Sequence, residues 1–198
     1  MRLSDVLLAT VRPRQRLTRL AGSGEAAAAV VVVGSGMVST GLQLAAGAVE
    51  PPARAAAPAA GLVISLLLAP LLVGFWLASA ALVDAAARLM GGSPNRGAIR
   101  RRTAFAFPVL IVYAGITLAQ AALDRAGGTA ASLSLGLGLV NLAVLLWFIV
   151  VNAVAVHTVY GLSAPNAGLA ALVPFAALSG VLFAFVVLAS MLHVAGLI

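Results

Sequence analysis

Long runs of apolar residues that contain no Asp, Glu, Lys or Arg dominate the chain. Four such runs occupy positions 26–49, 55–83, 103–123 and 126–198. A helix needs about 20 residues to cross about 30 Å of hydrocarbon, so each of the first three runs is long enough for one span. The fourth run is too long for one helix, and the turn-forming residues 160–166 divide it in two. The pattern predicts an all-α integral membrane protein built as a bundle of five transmembrane helices.

The predicted spans form a single membrane domain over residues 26–198, and residues 1–25 precede it. This leading segment carries five arginines, with Leu3, Leu7 and Val11 at helical spacing. Such spacing predicts a short basic amphipathic helix that lies on the lipid headgroups rather than crossing them. The five spans are expected at about 26–48, 59–90, 104–123, 131–157 and 167–193.

Composition excludes a water-soluble domain. The 198 residues are 63% hydrophobic and only 9% charged, whereas a soluble domain carries about 25% charged residues. The net charge of +7 could suggest nucleic acid, but the arginines lie beside the apolar runs, where lipid headgroups and topology explain them. We therefore expect the lipid bilayer, and no nucleic acid, as a partner. The chain has no cysteine, which excludes disulfides and thiolate sites.

The polar segments between spans alternate in their arginine content. Five arginines precede the first span, whereas the first and third loops hold only Arg54 and Arg125. Five more follow the second span, namely Arg88, Arg96, Arg100, Arg101 and Arg102. Because cytoplasmic segments are enriched in Arg, the N-terminus is expected in the cytoplasm and the C-terminus outside. The Ala-rich composition, with Arg in place of Lys, indicates a GC-rich bacterial source, so the expected location is the inner (cytoplasmic) membrane.

Few residues in the chain could support catalysis or bind a metal. Its two histidines, His157 and His193, fall at opposite membrane faces in this topology, and there is no lysine for a phosphate-binding loop. The centres of the spans carry no charge, which argues against ion-coupled transport. We therefore expect no enzymatic activity, no metal and no cofactor. A passive pore for neutral solutes remains an alternative function.

Ionisable residues gather where the second span is expected to enter the cytoplasm. Asp84 and Arg88 are spaced i, i+4 in the order that best forms an ion pair on a helix. The pair either anchors the helix end or, with the arginines that follow, forms a docking point for a cytoplasmic partner. The same arginines could instead hold anionic lipid. The candidate contact residues are Asp84, Arg88, Arg96, Arg100, Arg101 and Arg102.

Small and hydrogen-bonding residues recur on single faces of three spans. In the first and third spans they repeat at intervals of four, three and four residues, and in the fourth they stand three turns apart. Such faces are typical of helix–helix contacts in lipid, and their alternative role is to line a substrate path. We predict interhelical packing by Gly36, Thr40, Gln43, Gly47, Tyr113, Thr117, Gln120, Asn141 and Asn152.

Two stretches carry a family resemblance. The first contains Trp76 and the segment 88–93 (Arg-Leu-Met-Gly-Gly-Ser), followed by 104–108; the second contains Trp147 and 161–167. In order and spacing they resemble the Yip domain of the Ypt/Rab-interacting membrane proteins, in its bacterial form. The resemblance implies a five-span bundle with a cytoplasmic N-terminus.

The family resemblance implies two different kinds of partner. Eukaryotic members bind small GTPases and act in vesicle traffic, but this chain lacks their long acidic cytoplasmic segment and the Asp-Leu-Tyr-Gly-Pro motif before the first span. Some bacterial relatives are accessory subunits of export-type ABC transporters. The leading hypothesis is therefore a non-enzymatic membrane scaffold or accessory subunit that packs against membrane partners or itself. The alternatives are a transporter or pore for a neutral or lipidic solute, and a membrane-organising protein linked to trafficking.

Overall fold

The computed structural model describes residues 24–49, 58–93, 95–126 and 131–194, together with Val11 and Pro13. Most of the predicted amphipathic segment 1–25 therefore lies outside the described residues. Within them the chain forms α1 (Glu25–Val49), α2 (Pro58–Leu89), α3 (Arg96–Thr103), α4 (Val109–Arg125), α5 (Ala131–Tyr160) and α6 (Ala164–Val194), with a short 3-10 helix, Ala104–Ala106, between α3 and α4.

Five helical segments have the length and the apolar composition needed to cross a bilayer. They run over Glu25–Ala46, Pro70–Leu89, Arg96–Arg125, Ser132–Tyr160 and Ala164–Met191. The prediction of an all-α protein with five helices of this kind is confirmed for the part of the chain that the structure describes. Five such helices are typical of a multi-pass membrane protein.

The long helices are arranged as a ring. Helix α1 packs against α4 and α2, α2 packs against α6, and α6 and α4 both pack against α5, which closes the ring. The short α3 and the 3-10 helix contact α1, α2 and α5 from inside. They fill the middle of one end of the ring, which we call the arginine end because α3 carries four arginines. The C-termini of α2 and α5 lie at this same end.

The segment that supplies α3 differs from its expected form. The sequence places residues 96–102 in a loop, but Asn95 begins a helix there by accepting a hydrogen bond from the backbone N–H of Ala98 at 3.3 Å. Pro108 has no N–H to donate to the Ala104 carbonyl, so the regular α-helical hydrogen bonding is interrupted between α3 and α4. The carbonyl of Ala104 instead accepts the N–H of Phe107 at 3.2 Å, in 3-10 geometry. Burial of Ile99 and Phe105 then holds the segment inside the ring.

Glycines end α2 and α5 at the arginine end. Gly91 has a φ of +90°, and the Gly92 N–H donates to the carbonyl of Ala87 at 2.8 Å, which closes a Schellman turn. Gly161 has a φ of +66° and donates to the carbonyl of His157 at 2.9 Å, the simpler left-handed cap. Both turns stop their helices sharply, so the last residues of α2 and α5 can meet.

The buried core does not include the second half of α6, as far as its residues are described. Next to α3, the rings of Phe107, Phe148 and Phe175 stack edge to face with centroids 5.9 Å apart in each pair. Pro174 is the last buried residue of α6 among those described. Between 176 and 191 every residue whose burial is described is exposed, except the half-buried Ala189. This stretch, which we call the outer half of α6, stands away from the rest of the ring.

Candidate functional site

A buried carboxylate at the end of α2 is the centre of the most highly connected polar site. The side chain of Asp84 is fully buried. Its Oδ1 accepts hydrogen bonds from the Tyr160 hydroxyl at 2.7 Å and from the backbone N–H of Asn95 at 3.1 Å. Its Oδ2 accepts from Arg96 Nε at 3.1 Å and from Arg88. We call these five residues the Asp84 cluster.

The donors of the Asp84 cluster come from four different parts of the fold. They lie on α2, on the link that follows it, on α3 and on α5, so one carboxylate joins three helices. Burying an unpaired carboxylate is costly, but here each oxygen accepts two hydrogen bonds, which fills the capacity of the group. The side chains of Arg88 and Arg96 stay 42% and 59% exposed, so they balance the buried charge while their outer edges remain solvated. The carboxylate therefore holds the three helices together, and no face of it is left for a substrate.

Gly92 makes room for the tyrosine of the Asp84 cluster. A Cβ atom at this position would lie 2.9 Å from the Ala87 carbonyl oxygen and 3.1 Å from Cδ1 of Tyr160. Both distances are too short for ordinary van der Waals contact. The glycine therefore lets the end of α5 approach the α2 turn closely enough for the Tyr160 hydroxyl to reach Asp84.

A second polar contact joins α3 to α2. The indole Nε1 of the buried Trp76 donates to the Arg100 carbonyl at 3.0 Å. The Arg100 side chain also pairs with Glu25, the first residue of α1, at 3.4 Å between Nη2 and Oε1. Helix α3 is thus held to α2 at its first turn and near its middle, and it is linked to α1 at its surface.

The six predicted contact residues do not come together in one group. Asp84, Arg88 and Arg96 meet in the Asp84 cluster, and the ion pair expected from the i, i+4 spacing is present. Arg100 joins Glu25 instead. Arg101 and Arg102 lie on α3 outside the cluster, both half-buried, and Arg101 Nη1 lies close to Gly97.

The residues predicted to pack on one face of α1 differ in burial. Gly36 is buried against α2, where an added Cβ would lie 2.1 Å from Cδ1 of Leu72. Thr40 is also buried, whereas Gln43 is exposed. The surroundings of Gly47 lie outside the described residues.

The predicted polar faces of α4 and α5 meet each other. Gln120 Nε2 donates to Ser134 Oγ at 3.2 Å, and Asn141 Nδ2 donates to Thr117 Oγ1 at 3.5 Å. The Thr117 hydroxyl donates in turn to the carbonyl of Tyr113 at 3.1 Å. These polar groups therefore bond between or within the helices. The buried Asn152 donates to the carbonyl of Phe148 at 2.9 Å on its own helix.

Glu25, Asn95, Ser134 and Tyr160 belong to these contacts but were not singled out from the sequence, and Trp76 was noted there only for the family resemblance. Tyr160 had a usable signal, because the second and fourth spans must end at the same side, and a tyrosine there could reach Asp84. The backbone contact of Asn95 and the carbonyl partner of Trp76 have no such signature in the sequence.

Of the two histidines, the structure describes the side chain of one. His157 Nδ1 donates to the Leu162 carbonyl at 2.5 Å and so stabilises the turn between α5 and α6. The side chain of His193 lies outside the described residues. Among the residues that the structure describes, no three His, Asp or Glu side chains come together as a metal site would require.

No known protein identifies this site by similarity. Comparison of the chain with known protein families, with characterised proteins and with solved structures gives no match. The features that bear on function are therefore the Asp84 cluster, the interhelical contacts and the exposed helix faces.

Proposed function

We propose that this chain is a non-enzymatic membrane scaffold or accessory subunit that packs its helices against other membrane proteins or a second copy of itself. The observation that carries the proposal is the outer half of α6. Leu178, Val181, Phe183, Val186 and Met191 are exposed there on all sides of the helix. A helix whose described surface is free around its full circumference offers a face to a partner helix.

Small residues on the same stretch favour contact with a helix. A Cβ added at Gly180 would meet no atom within 4 Å, so the backbone is open to close approach. In lipid, helices associate through such close packing and through interhelical hydrogen bonds, since apolar area alone gives no advantage over lipid tails. The polar residues of α4 and α5 bond to each other, which supports a packing role over the alternative of a lined path for a neutral or lipidic solute.

The proposal includes a location. The chain would sit in a bacterial inner membrane with its arginine end in the cytoplasm, since cytoplasmic segments are rich in Arg. The Yip resemblance supports the same orientation and suggests partners among membrane proteins, an export-type ABC transporter being one candidate. A small GTPase is the weaker candidate, suggested by the family resemblance alone.

Single cysteines test this orientation, because the chain has none of its own. Ser93 at the arginine end and Ser132 at the opposite end are both exposed. In intact cells of an expression host, Ser132→Cys should react with a membrane-impermeant maleimide. Ser93→Cys should react only in inside-out vesicles. The reverse pattern would overturn the proposed orientation.

A cysteine scan along the outer half of α6 tests the packing function. We expect disulfide-linked dimers, or cross-links to a co-purifying membrane protein, at positions three or four residues apart, because a packed helix presents one face. Intervening positions should react weakly. A matched scan of the exposed residues of α4, such as Val112→Cys, should give little cross-linking. Uniformly weak products, together with a monomer that retains no partner in mild detergent, would contradict the proposal.

A further inference from the structure

We propose that a groove between α2 and α3 binds an anionic phospholipid, with the lipid phosphate held between Arg96 and Arg100. The groove is lined by Leu77, Ala80, Ala81, Arg96 and Arg100 and has a volume of about 200 Å³. The site goes beyond the scaffold function and does not depend on it. We call it the α2–α3 groove.

The charge at the α2–α3 groove favours an anion. Among the described residues, Arg88, Arg96 and Arg100 form ion pairs with two acids, Asp84 and Glu25, so three positive charges against two negative leave one positive charge unbalanced. Arg96 and Arg100 stand four residues apart and therefore lie on the same side of α3. A guanidinium has five N–H donors. Arg96 uses Nε toward Asp84, and Arg100 uses Nη2 toward Glu25 and Nε toward the Arg96 carbonyl. Donors remain for a phosphate.

The α2–α3 groove is built before any ligand arrives. The Asp84 cluster fixes the first turn of α3 against α2, and the Trp76 indole fixes the carbonyl of Arg100 against the same helix. Along α2, the groove residues 77–81 lie between Trp76 and Asp84. The spacing of the two arginines is thus set by the fold, and binding does not have to order α3.

The α2 wall of the groove is apolar and continues away from the arginines. Leu71, Gly74 and Leu77 are exposed and Ala81 is half-buried, all on one face of α2. Leu77 lies seven residues before Asp84, a distance of about 10 Å along a helix. An amphipathic ligand fits this layout, with its charge at the arginine end and an acyl chain along the leucines. A soluble anion would use the arginines alone and leave the wall uncovered.

Lipid retention measured by native mass spectrometry tests the proposal. Detergent-purified protein is titrated with phosphatidylglycerol and, separately, with phosphatidylcholine. The wild type should bind phosphatidylglycerol preferentially. Arg100→Gln, which leaves the Asp84 cluster intact, should weaken binding about fivefold, and the Arg96→Gln/Arg100→Gln pair about thirtyfold. Ala81→Leu keeps the charge but places a larger side chain in the groove. It should therefore also reduce the retention of phosphatidylglycerol.

Controls separate this site from general electrostatics. The Arg101→Gln/Arg125→Gln pair removes the same charge elsewhere and should leave binding within about twofold of wild type, since these side chains do not line the groove. An equal loss in that control, or equal retention of phosphatidylcholine, would overturn the proposal. Displacement of phosphatidylglycerol by glycerol phosphate at similar concentration would also overturn it, because the ligand would then be a soluble phosphate.

Discussion

The Asp84→Asn variant is expected to lose about 3 kcal/mol of the free energy of unfolding, because breaking one partner of a buried, hydrogen-bonded ion pair typically costs 3–5 kcal/mol. We expect the lower value of this range because the Arg88 and Arg96 side chains are partly exposed and can be rehydrated. The asparagine keeps the shape of the side chain but carries no charge, and its amide N–H groups would face the arginine donors. Unfolding in a detergent–SDS titration, followed by tryptophan fluorescence, measures the difference.

A matched substitution gives the control for Asp84→Asn. Asp124 is exposed near the end of α4, away from the arginine end, so Asp124→Asn should cost no more than about 1 kcal/mol. Tyr160→Phe removes only the hydroxyl that bonds to Asp84 and should cost about 1.5–3 kcal/mol in the wild type but much less in the Asp84→Asn background. Equal effects of the two aspartate substitutions, or strict additivity with Tyr160→Phe, would show that Asp84 does not join the helices.

The second large effect is expected for Gly92→Ala. The new methyl group would lie 2.9 Å from the Ala87 carbonyl oxygen and 3.1 Å from Cδ1 of Tyr160. The carbonyl belongs to the backbone of α2 and cannot rotate away, so the turn at position 92 has to shift. Tyr160 at the end of α5 has to move as well, because it lies against the same position. Overpacking of this kind typically costs about 1–3 kcal/mol, and the Tyr160–Asp84 hydrogen bond should be weakened as well. The same SDS titration measures the loss.

Gly74→Ala is the appropriate comparison for Gly92→Ala. A Cβ at Gly74 would meet no atom within 4 Å, and the residue lies inside α2. Alanine is the better helix former there by about 1 kcal/mol, so Gly74→Ala should be neutral or slightly stabilising. A Gly92→Ala variant as stable as the wild type, with Tyr160→Phe still costing its full amount in that background, would show that the close approach of α5 to the α2 turn is unnecessary.

The helices themselves were predictable because their signal is local. Runs of about 20 apolar residues between arginine-rich or turn-forming segments leave few alternatives to a spanning helix. Glycines 91 and 161 mark the ends of α2 and α5 where the sequence suggests a stop. The Asp84–Arg88 pair was predictable for the same reason, since both residues lie on one helix at a spacing of four.

The position of α3 was not predictable, because its cause is not local. Eight residues with four arginines give no apolar periodicity, and the segment is buried only because Asp84, Trp76 and the ring of helices surround it. Tyr160 lies 76 residues from Asp84 along the chain, so no spacing rule connects them. The polar faces of α4 and α5 could be recognised from sequence, but their mutual pairing depends on the order of helices in the ring.

The two ends of α6 should respond differently to bilayer thickness. Its first turns are packed beside α5 and α2, whereas the stretch after Pro174 is exposed and, in the proposed bilayer location, would contact lipid tails. A helix longer than the local hydrocarbon layer tilts to keep its apolar length covered. In a thin membrane the free part of α6 would lean while its packed part stayed upright, with Pro174 as the point of bending. Membrane thickness would therefore tune the angle at which this helix meets another protein.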